Sequence, residues 1–127
     1  MSELADKVEG LLKELFPHNV ILKEHYVNYK GSRLFFDFYI KDLDIVFECQ
    51  GRQHEKFVEH FHQDRDGFLE LKRRDNLKKE YAEINKIPFV SVYYNEKTSR
   101  SILLKKIIEA QSEVLWSTKN GRNNNQK

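Results

Sequence analysis

The first apolar positions of the chain recur every three or four residues, at Leu4, Val8, Leu11, Leu12 and Leu15. This spacing predicts an amphipathic helix. Ser2 is suitably placed to cap the start of such a helix, and Pro17 to mark its end. We therefore expect a first helix from Ser2 to about Phe16, with its apolar side buried.

Two runs rich in β-branched and aromatic residues follow, at Val20–Tyr26 and Leu34–Ile40. The segment Lys30–Ser32 between them is typical of a turn, so the two runs predict a β-hairpin. A third run, Asp44–Cys49, contains the consecutive apolar residues Ile45–Phe47. An unbroken apolar run predicts burial on both faces, and hence a central strand.

The second half of the chain predicts a helix, a strand and a further helix. A strongly charged helix is expected from about Phe68 to Lys86, and an apolar strand at Pro88–Tyr94. Thr98 or Ser99 can cap a last helix whose apolar stripe consists of Leu103, Ile107, Ala110 and Val114. Residues 53–67, which include His54, His60 and His62, show no clear period and predict a loop or a short helix.

The length of 127 residues and the apolar content of 39% suffice for one core but not for two ordinary domains. We expect a single domain over residues 1–116 and a polar, basic, disordered tail over residues 117–127. The apolar runs are too short to span a bilayer and the N-terminus lacks a signal-peptide block. A soluble, cytoplasmic protein that does not bind membranes is therefore expected.

Charge is abundant but nearly balanced, with 33% charged residues and a net charge of +2. Basic residues concentrate at Lys72–Lys79 and in the tail, which permits a phosphate-facing surface but is equally compatible with a solvated helix face. The single cysteine, Cys49, has no second cysteine for a disulfide or a zinc knuckle. It is expected to be a buried strand residue.

Two acids interrupt the apolar strands, Asp37 in the second run and Glu48 in the third. A carboxylate in such a run is costly to bury unless a cation or hydrogen-bond donors compensate it. Two carboxylates, a main-chain carbonyl and water form a ligand set that suits Mg²⁺. The Cys49 side chain points away from those of Glu48 and Gln50, because neighbours alternate along a strand. The Cys49 thiol is therefore not expected to be a ligand.

Three blocks of sequence resemble the PD-(D/E)xK, or restriction-endonuclease-like, nucleases. Asp37, ten intervening residues and then Glu48-x-Gln50 resemble the metal-binding signature of that superfamily, with glutamine in the usual lysine position. The segments around these residues, together with Arg74-Asp75-x-x-Lys78-x-x-Tyr81, resemble small phage-encoded and very-short-patch-repair-like endonucleases. The resemblance covers roughly residues 9–94. It implies an α/β fold with a central mixed four-stranded sheet flanked by helices (αβββαβ).

The resemblance also implies a role for individual residues. Asp37, Glu48 and the Cys49 carbonyl would hold Mg²⁺, for which Mn²⁺ substitutes, and the reaction would be hydrolysis of a DNA phosphodiester. Glu9 matches an additional acid on the first helix, and Gln50 would orient water without supplying charge. Lys78 becomes the candidate for the missing cation. His54 is a candidate proton shuttle or phosphate contact.

A basic ridge is the expected contact with the DNA backbone, formed by Arg52, Lys72, Arg73, Arg74 and Lys79. Aromatic residues alternate in the strands, so core packing is the default expectation for Phe35, Phe36, Phe38, Tyr39, Phe89 and Tyr93.

Two alternatives to a DNA endonuclease stay open. The glutamine at position 50 favours an inactive nucleic-acid-binding module of the same fold. A protein-interaction domain is a further alternative, in which the basic helix binds an acidic partner. A homodimer is also left open, as is the structure of the DNA substrate.

Overall fold

The computed structural model describes residues 2–51 and 65–124, with side chains described as far as residue 120. In chain order the elements are α1 (Glu3–Leu15), β1 (Ile21–Tyr29), β2 (Ser32–Ile40), β3 (Ile45–Gln50), α2 (Arg65–Ile84), β4 (Phe89–Tyr93) and α3 (Arg100–Asn124). The predicted order of elements is confirmed. Arg52, His54, His60 and His62 lie outside the described residues.

The first helix begins and ends where its sequence predicts. The Ser2 hydroxyl accepts a hydrogen bond from the Ala5 main-chain amide at 3.1 Å, which satisfies one of the free N–H groups of the first turn. The main-chain amide of Phe16 still bonds the Leu12 carbonyl at 2.8 Å as the helix ends. Ala5, Val8 and Leu12 are the buried residues of α1.

The four strands form one mixed sheet, as expected, and their order in the sheet is β1-β2-β3-β4. β1 and β2 are antiparallel and meet at a tight turn in which Lys30 and Gly31 have φ values of 51° and 77°. Positive φ at both central residues suits the right-handed twist of a hairpin. β2 and β3 are antiparallel, whereas β3 and β4 are parallel. All six residues of β3 are buried, so the predicted central strand is confirmed.

The sheet separates two apolar layers. α1 and α3 pack on one face, through a core that includes Val8, Leu12, Phe38, Phe47 and Leu103. α2 covers the other face, through a smaller core of Phe36, Val46, Ala82 and Ile87. The side chains of β3 alternate between these layers, as the period of a strand requires. Odd-numbered residues of β3 therefore face α1 and α3, and even-numbered residues face α2.

Two predicted boundaries are wrong. α2 begins at Arg65 rather than Phe68, and it ends at Ile84 because Lys86 takes a left-handed φ of 57°. Residues 117–124, predicted as a disordered tail, are the last turns of α3. Polar side chains support these turns, since the Asn120 amide donates to the Trp116 carbonyl at 2.9 Å and Lys86 Nζ lies 3.2 Å from Ser117 Oγ.

A search of the described helices for one both long and apolar enough to cross a membrane finds none.

Candidate active site

The candidate site lies where β2 separates from β3. Their antiparallel pairs are Ile40 with Ile45, Tyr39 with Val46 and Phe38 with Phe47. Both strands continue beyond the last pair, and the next residues that face each other are Asp37 and Glu48. Side chains replace the main-chain ladder at this point: the Cys49 amide donates to Asp37 Oδ2 at 2.7 Å and the Asp37 amide to Glu48 Oε1 at 3.3 Å.

The separation coincides with a distortion of the hairpin. The β1–β2 ladder skips the opposed residues Glu24 and Asp37, and Glu24 has a φ of 52°. On one side of this point Phe38 packs with α1 and α3, whereas on the other side Phe36 packs in the α2 layer. Residues two apart in a regular strand share a face, so the strand rotates at Asp37. Its carboxylate consequently points along the sheet towards β3 and reaches the Cys49 amide.

Glu48 projects from β3 towards α2 and is almost fully buried, at 2% exposure. Lys78, on α2, places its Nζ 3.2 Å from Glu48 Oε1 in an ion pair whose side chains are 13% and 3% exposed. Burial raises the pKa of the Glu48 carboxyl to about 8, with Lys78 opposing the rise and Asp37 adding to it. One ammonium therefore compensates the buried carboxylate only in part.

Two further oxygen atoms are available at the site. The Gln50 side chain lies on the Glu48 side of β3 and is 6% exposed, and its Oε1 has no hydrogen-bond partner among the described residues. Val46 and Gln50 bond main-chain groups of the β4 side, so by alternation the Cys49 carbonyl is directed towards β2 and Asp37. The Cys49 side chain belongs to the opposite core, and burial raises the pKa of its thiol. This agrees with a main-chain ligand rather than a thiolate ligand.

These residues fit a hard divalent cation. Within residues 2–51 and 65–124, no three His, Cys, Asp or Glu side chains cluster as a metal site. Mg²⁺ does not need such a cluster, because it binds through one or two carboxylates and keeps several waters. Two features favour a cation here: a buried glutamine oxygen with no donor among the described residues, and a buried carboxylate that Lys78 compensates only in part.

Glu9, the predicted additional acid, forms ion pairs with two lysines. Its carboxylate lies 3.3 Å from Lys13 Nζ and 3.3 Å from Lys23 Nζ, and the hydrogen bond from Lys23 is the main reason that its pKa is lowered. Lys23 pairs with Phe38 in the hairpin, one residue from Asp37. Glu9 thus lies on the α1 face of the sheet, whereas Glu48 points to the α2 face.

A basic cleft opens beside the acid pair, between β2 and α2. Its volume is about 330 Å³, and it is lined by Arg33, Phe35, Leu71, Arg74, Asp75 and Lys78. Arg33 was missed by the sequence analysis because it stands alone after the hairpin turn, outside the run of basic helix residues. Arg33 is identified as a residue of the basic cleft only by its position in a strand that faces α2. No local pattern in the sequence indicates that position.

The predicted ridge on α2 is divided by the structure. Arg74 lines the basic cleft and pairs with Glu70 through its Nε at 3.3 Å. Arg73 is held by Glu70 and by the Ser32 hydroxyl, at 2.7 and 3.2 Å. Lys72 lies over the Phe68 ring at 5.8 Å. Lys79 faces a different cavity, next to α3. The basic residues of α2 therefore do not form one continuous surface, because neighbouring residues of a helix point in different directions. Their contact with DNA stays a prediction.

Comparison with known proteins gives one viral relative and no family. No protein-family profile matches the chain, and no solved structure matches it significantly. "Uncharacterized protein 307L" of Invertebrate iridescent virus 6 is 32% identical over 71 residues, which cover 56% of this chain and 36% of the viral protein. The chain thus spans about a third of the length of that relative. The fold and the site geometry carry the functional argument.

Proposed function

We propose that this protein is a Mg²⁺-dependent DNA endonuclease of the restriction-endonuclease-like class, with Asp37 and Glu48 as its metal-binding acids. The observation that carries the proposal is the acid pair at the opening between β2 and β3, with the Lys78 ammonium 3.2 Å from Glu48. A phosphodiester carries negative charge and gains more in the transition state. This arrangement suits it, because two adjacent carboxylates can hold a metal ion while the ammonium and the basic cleft face the phosphate.

Each residue has a distinct task in this proposal. Asp37, Glu48 and the Cys49 carbonyl would hold Mg²⁺, and when bound, the ion supplies Lewis-acid polarisation of a phosphoryl oxygen. Asp37 is oriented by the Cys49 amide, at 2.7 Å. Lys78 stabilises negative charge that builds on the phosphate, and Gln50 orients the attacking water through its side-chain amide. Arg33 and Arg74 position the DNA backbone in the basic cleft.

The inactive nucleic-acid-binding module remains the second candidate. It is favoured by the uncharged Gln50 and by the Glu48–Lys78 ion pair, which by itself satisfies part of the buried charge. In that case the acid pair is structural, and it ties β2 to β3 where their ladder ends.

A cleavage assay separates the two candidates. Purified protein is incubated with plasmid, branched and single-stranded DNA in the presence of Mg²⁺, Mn²⁺ or EDTA. We expect cleavage with either metal, none with EDTA, and a loss of at least about a thousandfold in Asp37→Asn, since that change removes a ligand of the activating ion. Asp42→Asn, in the exposed turn before β3, is the matched control and should cut normally.

Metal-independent binding without cleavage of any of these substrates would contradict the nuclease and favour the inactive module. Equal cleavage by wild type and Asp37→Asn would show that Asp37 is not part of the active site.

A further inference from the structure

Two aromatic rings form an exposed pair on the hairpin. Tyr26 and Phe35 are direct cross-strand partners, their ring centroids lie 5.3 Å apart at an interplanar angle of 45°, and they are 47% and 45% exposed. The sequence predicts Phe35 as a core residue, and this is wrong. The rotation of β2 at Asp37 buries Phe36 instead and leaves Phe35 outside both cores.

The pair lies beside a cluster of basic residues. Phe35 lines the basic cleft together with Arg33, Arg74 and Lys78, and Asp75 is the acid in that lining. Arg74 pairs with Glu70 and Lys78 with Glu48, whereas Arg33 has no ion-pair partner among the described residues. An aromatic surface next to guanidinium and ammonium groups matches a ligand that has flat apolar faces and a phosphate backbone. Both properties belong to a single nucleic acid strand.

We propose that the Tyr26–Phe35 pair stacks on unpaired bases of single-stranded DNA whose backbone runs through the basic cleft. The inference rests on the proposed nuclease function and specifies its substrate class: DNA with a single-stranded segment next to the cleavage position, such as a flap, a branch or a free strand. Bases inside a duplex already stack on their neighbours and offer no face to a protein ring. Stacking on protein aromatic rings accepts any base, so the pair selects the structure of the DNA rather than its sequence.

Charge complementarity favours this occupant over a second copy of the chain or an apolar peptide. Either of these would bring an apolar surface against Arg33, which has no ion-pair partner among the described residues, and burying an unpaired charge is costly. A strand of DNA instead supplies one phosphate for each nucleotide.

The test measures binding in EDTA, so that it does not depend on cleavage. Fluorescence anisotropy follows three labelled probes: an oligothymidine of about 12 nucleotides, within the site sizes known for single strands; an abasic oligomer with the same number of phosphates; and a blunt duplex. The full chain is compared with the double variant Tyr26→Leu and Phe35→Leu, and with Tyr26→Phe, which keeps a ring. Trp116→Leu is the matched control, because Trp116 is 69% exposed and lies outside the basic cleft.

We expect wild type, Tyr26→Phe and Trp116→Leu to bind oligothymidine at least about tenfold more tightly than the abasic probe, as stacking of one or two bases implies. The double leucine variant should lose that preference and bind both probes alike. Equal affinity of wild type for the two probes overturns the inference without any variant. It is also overturned if the double variant keeps the preference, or if its only change is the dissociation of a dimer.

The nuclease proposal fails separately. If the base preference holds in EDTA while no DNA is cut with Mg²⁺, the stacking surface stands and the catalytic assignment does not. If cleavage occurs but duplex DNA is cut as fast as flapped DNA, the enzyme stands and its proposed substrate class does not.

Discussion

The two sides of α2 both carry basic residues but lie opposite very different surfaces. One side places Arg74 and Lys78 against β2 and the acid pair, where Arg33 adds a third positive charge to the basic cleft. The other side places Lys79 towards α3, in a cavity that Lys86, two residues after the helix ends, also lines. The run of charge in the sequence does not distinguish these two sides.

The cavity on the α3 side is balanced in charge and largely apolar. It has a volume of about 410 Å³, and Lys79 and Lys86 share it with Glu83 and Glu113. Lys86 also lies 3.2 Å from the Ser117 hydroxyl, which links the end of α2 to α3. If the proposed function is right, we expect a lysine of α2 to act on DNA where the helix faces the break in the sheet, and not where it faces α3. The following experiments test that contrast between the basic cleft and the α3 side.

The largest difference is expected between the neighbouring residues Lys78 and Lys79. Lys78→Met should lower turnover by about a hundredfold while DNA affinity changes little, because its charge matters chiefly as negative charge builds on the phosphate. Lys79→Met should leave turnover unchanged. Single-turnover cleavage at saturating DNA measures the rate, and anisotropy in EDTA measures the affinity. Equal rates in the two variants would contradict the assignment, and partial rescue of Lys78→Met by Gln50→Lys would sharpen it.

A second contrast concerns the pH dependence of stability. The pKa of Glu48 rises from its ordinary value of 4.5 to about 8 in the folded protein because of burial. Between these values the folded state keeps a proton that the unfolded state has released, so stability should fall as the pH rises from about 5 to about 8. Glu48→Gln should remove this fall, so its stability relative to wild type should rise over the same pH range.

Urea unfolding at several pH values in EDTA measures this effect. Glu83→Gln is the control, since Glu83 is an exposed acid on the α3 side of α2. A wild-type stability that stays constant between pH 5 and pH 8 would show that Lys78 fully compensates the buried carboxylate.

The smallest expected effect compares two pairs of basic residues. Arg33→Gln with Arg74→Gln should weaken DNA binding about tenfold and reduce the slope of log affinity against log salt by about one to two, as loss of one or two phosphate contacts implies. Lys79→Gln with Lys86→Gln removes the same charge from the cavity next to α3. This variant should change DNA affinity less than about threefold. Lys79 and Lys86 would act on DNA only through the long-range electric field of the protein, which salt screens. Equal losses in the two pairs would mean that net charge alone governs binding.

The local patterns of the sequence predict the order of the elements. The spacing of apolar residues places α1, the run Ile45–Phe47 marks the central strand, and Lys30-Gly31 fixes the hairpin turn. Each of these features depends on residues close together in the chain. The final turns of α3 could not be predicted in this way, because their support includes a contact from Lys86, which is far away in the sequence.

The candidate site was predicted in part. Asp37 and Glu48 are conspicuous as acids in apolar strands. Lys78, the candidate for the missing cation, places its ammonium 3.2 Å from Glu48 Oε1. The rotation of the hairpin could not be predicted, because it depends on Glu24 and Asp37 facing each other across two strands. That rotation turns Asp37 towards β3 and exposes Phe35.

Metal binding at the break in the sheet is the central claim, and the electron paramagnetic resonance of free Mn²⁺ tests it most directly. Titration of the protein with Mn²⁺ counts the bound ions without requiring DNA or cleavage. We predict that wild type and the control Asp42→Asn bind one ion with the same affinity, that Mg²⁺ displaces it, and that Asp37→Asn and Glu48→Gln bind at least about tenfold more weakly, because each loses a carboxylate ligand. Binding by Asp37→Asn with wild-type affinity, or no binding by wild type, would contradict the account.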